Sequence, residues 1–127
     1  DLVDGADAVA ARVLLHAGKI YYDLVNELQK TPNTEIALIR LEQYYPLPTV
    51  ELNAVLAEYP NAELVWVQDE PQNQGAWPFI CLELAGRLPA GHTIRVISRA
   101  PAAAPAAGSA KRHAQEQTEL LQRALTL

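Results

Sequence analysis

The sequence predicts a three-layer α/β domain, a mostly parallel sheet with helices on both faces, on three observations. Four short apolar runs alternate along the chain with four segments of helical period. The central runs are apolar at consecutive residues, as strands covered on both faces must be; a half-solvated strand would alternate. Each intervening segment is long enough to carry the chain back to a parallel neighbour, and such crossovers are right-handed.

Taken in order, residues 1–8 read as an amino-terminal linker, and the first strand run is Val9 to Ala17 (VAARVLLHA), closed by Gly18. Ile20, Leu24, Val25 and Leu28 then fall on one helical stripe. The second run is Glu35 to Leu41. Leu52, Val55, Leu56 and Tyr59 form the next stripe, with Thr49 as its N-cap and Pro60 as its stop. The third run is Glu63 to Gln68. A helix is expected from about Gly75 or Ala76 to Arg87, because Pro78 is tolerated only in a first turn. The fourth run is Thr93 to Ser98. Arg99 to Ser109 is a Pro/Ala-rich connector, read as an extended surface loop. A last helix follows, with Ala114, Leu121, Ala124 and Leu125 expected on its inner side. An added antiparallel edge strand is compatible with this layout, but no segment marks its place.

Composition narrows the function. The 127 residues fit one domain, and half of them are apolar, enough for a core. A net charge of −5 argues against a phosphate-backbone binder, whose affinity comes from clustered Lys and Arg. No apolar run approaches the ~20 residues needed to span a bilayer. The amino terminus lacks the basic start and apolar stretch of a signal peptide. The sequence contains no Met, which suggests a piece of a longer protein. Its single cysteine, Cys81, excludes an intrachain disulfide and reads as a buried packing residue.

Ligands of open parallel sheets sit beyond the carboxyl ends of the strands. Those ends read His16-Ala-Gly-Lys19, Arg40-Leu-Glu42-Gln43, Gln68-Asp69-Glu70 and Ser98-Arg99, a polar rim suited to a ligand or a neighbouring domain. Self-contained chemistry is not visible on it. Asp69 and Glu70 are adjacent in an extended segment and point in opposite directions. His16, His92 and His113 lack the spacing of a metal site, and His16 reads as a hydrogen-bonded structural residue. Ser98 and Ser109 have no nucleophile-elbow glycines, and Gly18-Lys19 is not a P-loop. In the loop Asp69 to Phe79, Gln72, Asn73, Gln74 and Trp77 offer an uncharged polar and aromatic surface suited to an interface. Burial of Trp77 in the domain's own core is the competing reading. The residues therefore leave open an assembly domain, a free-standing anion- or nucleotide-binding regulatory module using Lys19, Arg40 and Arg99, and an independent enzyme using Asp69, Glu70 or His16.

Four motifs carry a family resemblance. LLHAGKIYYDL (Leu14 to Leu24), IALIRLEQYYPLP (Ile36 to Pro48), WVQDEPQNQGAWPF (Trp66 to Phe79) and RAPAAAPAAGSAKRHAQEQTELL (Arg99 to Leu121) occur in that order. Together they resemble the carboxy-terminal domain of 2-oxoglutarate dehydrogenase, the thiamine-dependent decarboxylating component, over nearly the whole chain. The resemblance implies a fold like the transketolase carboxy-terminal domain. It also implies that thiamine diphosphate and Mg are held by preceding domains, so that this chain binds no cofactor and carries no catalytic residue. The expected partners are those preceding catalytic domains, a second subunit of a homodimer and a lipoyl succinyltransferase complex, with no nucleic acid and no membrane. The expected location is the bacterial cytoplasm, or the mitochondrial matrix in a eukaryote. The resemblance adds Gln43 to Lys19, Arg40 and Arg99 as candidate regulatory contacts. Relatives that respond to acetyl-coenzyme A carry two arginines where this chain has Val50 and Glu51. Losing two guanidiniums and gaining a carboxylate disfavours a polyanion, so weak or absent regulation by that ligand is expected here.

Overall fold

Nine elements follow one another along the chain: β1 (Val3–Asp4), β2 (Arg12–His16), α1 (Ile20–Lys30), β3 (Ile36–Arg40), α2 (Thr49–Ala57), β4 (Glu63–Pro71), α3 (Trp77–Leu84), β5 (Ile94–Arg99) and α4 (Ala110–Leu125). The computed structural model describes residues 3–4, 11–33, 35–42, 49–59, 61–84, 87–88, 93–99 and 110–126. The strands form one sheet in the order β1-β3-β2-β4-β5. All neighbours are parallel except β1, which pairs antiparallel with β3 through Val3 opposite Ile39 and Asp4 opposite Leu38. The edge strand that the sequence could not locate therefore lies inside the stretch expected to be a linker.

The order follows from the crossover rule. The chain steps from β2 to β3 through α1, then returns across β2 to reach β4 through α2. Two right-handed crossovers in opposite directions must use opposite faces of the sheet. Accordingly Leu14, Ile36, Leu38, Val65 and Ile97 pack with Ile20 and Leu24 of α1 and Leu120 and Ala124 of α4. Val13, Leu15, Ile39, Leu64 and Trp66 face the other way, onto Leu52 and Leu56 of α2 and Ile80 and Leu84 of α3. β2 is buried at all five positions, which is why its sequence RVLLH shows no alternation.

Helix boundaries agree with the sequence to within a few residues, and the departures have local causes. Thr49 is the first residue of α2, one place later than an N-cap. That helix ends at Ala57 because Glu58 and Tyr59 donate to Val55 and Leu56 in a tightened last turn. On α3 the inward positions are Ile80 and Leu84. Cys81 lies one step of about 100° past Ile80 and is exposed, so the packing role expected for it does not hold. On α4, Ala114 is also exposed, while Leu120 and Ala124 are buried. Continuing their stripe backward lands on His113, Glu116 and Gln117, so the inner face of that helix is polar in its first half. Most of the Pro/Ala connector, residues 100–109, lies outside the described residues, as do Gln43, Tyr44, Tyr45 and His92.

The amino-terminal end of the sheet is closed by Arg12, which is only 6% exposed. Its Nε donates to Glu63 Oε1 at 2.8 Å, and its Nη1 lies 2.9–3.0 Å from the carbonyl oxygens of Arg123, Ala124 and Thr126. Those carbonyls end α4 and have no intrahelical partner, so a buried guanidinium both satisfies them and meets the negative end of the helix dipole. Each such charge-assisted bond contributes about 1.5–3 kcal/mol.

Glu63 also accepts from Arg95 Nε at 2.5 Å. The Arg95 bond, and then the Arg12 bond and charge, hold the Glu63 carboxyl below its usual range despite opposing desolvation. A depressed folded value means that this contribution is present above the ordinary glutamate range and is lost as pH falls through the lowered value. Because Glu63 is 40% exposed, the effect is discounted for solvent screening. Glu63→Gln is expected to cost about 1 kcal/mol in urea unfolding at neutral pH. The gap to wild type should close on acidification; a gap independent of pH would refute this assignment.

Candidate functional site

Strand order reverses between β2 and β4, and an open parallel sheet leaves a crevice where the connections diverge to opposite faces. A cleft of about 610 Å³ lies there. One wall is Ala17, Gly18 and Lys19, which lead from β2 into α1; the other is Asp69 and Glu70 with Ala76 and Phe79. Gly18 holds φ +78°, the left-handed conformation that turns the chain from strand to helix.

Gln68 organises the far wall. It is 3% exposed, and its carboxamide oxygen accepts from Trp66 Nε1 and from the Trp77 backbone N–H, both at 2.9 Å. Its Nε2 donates to the carbonyls of Pro71 and Gln74 at 2.8 Å and of Glu70 at 3.2 Å. One amide thus satisfies the first turn of α3, fixes a core tryptophan and folds the loop from Glu70 to Gln74 around itself. Gly75 closes the loop at φ +66°. A Cβ there would meet Glu70 Oε1 at 2.9 Å and Gln68 Oε1 at 3.2 Å. The spacing of Trp66, Gln68, Pro71, Gly75 and Trp77 is therefore the pattern of one knot.

A second centre lies on the opposite face. Gln117 Nε2 donates to Asp69 Oδ1 at 2.8 Å and to Asp23 Oδ2 at 3.0 Å, while its Oε1 accepts from Arg99 Nη2 at 3.0 Å. His113 Nε2 lies 3.3 Å from the same Nη2, and Glu116 Oε1 is 3.7 Å from Arg99 Nε. Four residues of the last motif, Arg99, His113, Glu116 and Gln117, are thereby one cluster. Sequence reading did not single out Gln117. The signal available was the backward extension of the stripe through Leu120 and Ala124.

At the end of β3, Arg40 stands over the rings of Tyr21 and Tyr22, 4.6 and 5.5 Å from their centroids, and 4.0 Å from Glu42. Tyr21 in turn stacks on His16 at 5.8 Å and 16°. His16 is fully buried with Nδ1 2.9 Å from the Leu14 carbonyl, the structural role its sequence position predicted. Lys19 follows β2 and Arg40 ends its neighbour β3, whereas two strands lie between Arg40 and Arg99, about 14 Å at the usual spacing. The Arg99 side chain is 6% exposed and committed to α4. Gln72 and Asn73 are exposed, Gln74 is half-buried, and Trp77 is half-buried against the α2/α3 core.

Asp69 and Glu70 diverge as extended geometry requires, Asp69 toward Gln117 and Glu70 toward Gly75. Ser98 spends its hydroxyl on the Arg99 carbonyl. Among the described residues no three His, Cys, Asp or Glu side chains converge as a metal site.

These two amides generate two expectations. Gln68→Leu removes the acceptor of the buried Trp66 indole N–H and of the half-buried Trp77 backbone N–H and is expected to cost about 3 kcal/mol, with Trp77 more quenchable by acrylamide; unchanged stability and quenching would overturn the knot. Gln117→Glu sets three carboxylates together and is expected to cost about 2 kcal/mol at neutral pH. That cost should shrink as pH falls through the carboxylate range, because a proton on any of the three restores a donor; a cost that is flat with pH, followed by chemical denaturation, would argue against the cluster.

Residues 3–125 match the family described as 2-oxoglutarate dehydrogenase C-terminal. The chain is 48% identical over 124 residues to a multifunctional 2-oxoglutarate metabolism enzyme of Mycolicibacterium vanbaalenii, covering 94% of this chain and 10% of that protein. It is 47% identical over 123 residues to a protein of the same description from Mycobacterium sp. (strain JLS), covering 95% and 10%. It is 44% identical over 114 residues to a 2-oxoglutarate dehydrogenase E1 component of Cupriavidus necator, covering 89% and 12%. The chain thus spans about a tenth of the length of the curated relatives it matches. With the match running from β1 to the last residue of α4, the chain belongs to the 2-oxoglutarate dehydrogenase C-terminal family.

Proposed function

We propose that this chain is the carboxy-terminal assembly domain of the decarboxylating component of 2-oxoglutarate dehydrogenase, and that the groups performing the oxidative decarboxylation lie in the rest of the parent protein. One observation carries the reading. The polar groups at the strand ends are consumed in holding the domain's own elements together: Gln68 closes a loop and caps α3, while Asp69, Asp23 and Arg99 meet on Gln117. A site for acid–base or nucleophilic chemistry needs such groups to converge on a reacting atom instead.

Thiamine diphosphate and Mg belong, on this reading, to the preceding domains. The residues of the crevice do not fit them: it pairs one lysine with the carboxylate of Glu70, which opposes a diphosphate, and no three-ligand cluster is present among the described residues. The parent is proposed to act as a homodimer that passes its acyl group to a lipoyl succinyltransferase, in the cytoplasm if bacterial. No helix among the described residues is long and apolar enough to cross a membrane. Gln72, Asn73, Gln74 and Trp77 are proposed docking contacts toward the catalytic domains. Lys19, Arg40 and Gln43 are proposed contacts to a regulatory anion, with Glu51 opposing acetyl-coenzyme A; Arg99, proposed with them from the sequence, would have to leave Gln117 and Glu116 to join them.

Turnover of 2-oxoglutarate with thiamine diphosphate, Mg²⁺ and ferricyanide as electron acceptor tests the assignment. The full-length protein should be active and residues 1–127 alone inactive at any concentration. Keto-acid turnover by the lone chain, or a full-length protein inert toward 2-oxoglutarate, would overturn it.

A further inference from the structure

The two faces of the sheet carry helices of different construction. On α1 and α4 the outside is largely polar: Asn26, Lys30, Gln115, Glu119 and Gln122 are exposed beside Tyr22 and Ala114, while Leu24, Leu120 and Ala124 are turned inward. α3 reads WPFICLEL, with Glu83 its only charged residue. Its exposed positions are Pro78, Cys81 and Leu82, and Leu82 is 75% exposed. On α2 the exposed positions include Val50, Ala54 and Ala57, spaced i, i+4, i+7 along one line. The two helices pack on the same face, and Asn53 Nδ2 reaches the Arg87 carbonyl just beyond α3 at 3.2 Å. A helix that is apolar all round is one covered on both sides, and a contiguous exposed apolar patch marks a contact.

Charge indicates what covers it. Between Arg40 and Arg87 the chain holds no Lys, Arg or His, whereas Glu51 on α2 and Glu58 just after it stand exposed, and Glu83 on α3 is paired with Arg87 at 3.5 Å. Two copies meeting through this face would press carboxylates against carboxylates around an apolar centre, which disfavours self-pairing. An unlike surface with an apolar centre and a Lys/Arg rim is complementary to it. The relatives are about ten times as long as this chain, so such a surface has ample polypeptide to come from.

We propose that the outer face of α2 and α3 is an interface covered, in the full-length protein, by a basic-rimmed apolar surface of the same polypeptide. The proposal rests on the assembly reading and names the face through which it works.

Thiol labelling of the native full-length protein with N-ethylmaleimide, read by peptide mass spectrometry, tests it. Cys81 and an Ala54→Cys probe should label at least tenfold more slowly than a Gln122→Cys probe on the outside of α4, at every protein concentration. The double reversal Glu51→Lys/Glu58→Lys should raise Cys81 labelling about tenfold and leave the Gln122→Cys rate unchanged. Equal rates at the three thiols in the otherwise native protein would overturn the interface. Protection that disappears on dilution would assign the face to a second copy and overturn the proposed occupant, and indifference to charge reversal would overturn its basic rim. A protein that failed the turnover test yet protected Cys81 would lose the functional assignment and keep this face as an interface.

Discussion

The carboxamide of Gln117 is the junction on which one half of the domain depends. It binds α4 to α1 through Asp23, to β4 through Asp69 and to β5 through Arg99, all within 3.0 Å. An amide suits this position because it offers two donors and an acceptor on one plane without adding charge. A lysine would bring donors but no acceptor for Arg99, and a carboxylate would bring acceptors into a place that already holds two. The two aspartates can sit close together because each takes a different N–H of the same group. Nearby Arg99 balances their charge.

α4 is held at its other end by different chemistry. There Arg12, anchored on Glu63, reaches the last carbonyls of the helix. Between these locks the apolar contact is short, chiefly Leu120 and Ala124 with partial help from Leu121 and Leu125. Burying two or three aliphatic side chains contributes about 2 kcal/mol each, too little to orient a sixteen-residue helix against its own rotation. The polar locks at the two ends supply the direction that the apolar stripe alone leaves loose.

What the sequence disclosed and what it withheld divide along the same physical line. Strands buried on both faces write themselves as apolar runs, and α1 writes itself as a stripe, so sheet, helices and layer count were legible. β1 was not, because two residues in a sheet carry no period. The inner face of α4 departs from its apolar pattern at Ala114, because apolarity does not mark the inside of a half-helix that hydrogen bonds turn inward. Cys81 departs for the converse reason: an apolar neighbourhood does not imply burial on a helix whose outside is apolar too. Gln68 was seen only as a polar strand end, since a one-residue sequence feature cannot reveal five bonds converging on it. The candidate regulatory residues stayed separate on the sequence, and in the fold Lys19 and Arg40 share one end of the sheet while Arg99 is engaged elsewhere.

The Gln68 knot and the Glu63 pair at the other end of the sheet differ in how they respond to protons. The knot joins a carboxamide to an indole and backbone groups, none of which titrates in any ordinary range. At the amino end Glu63 gathers two guanidiniums, and Arg95 above all holds its carboxyl low. Acid therefore acts on the amino end by protonating Glu63, which weakens its bonds to Arg95 and Arg12. Arg12 loses one of its bonds and keeps three, because backbone carbonyls accept at any pH. The cap on α4 thus outlasts the ion pair beside it. β5, whose outer edge meets no described strand, loses its Arg95–Glu63 tie to β4 in acid and keeps the backbone ladder. The crevice wall built on Gln68 stands apart from this titration, so its shape is set by bonds that neither gain nor lose charge.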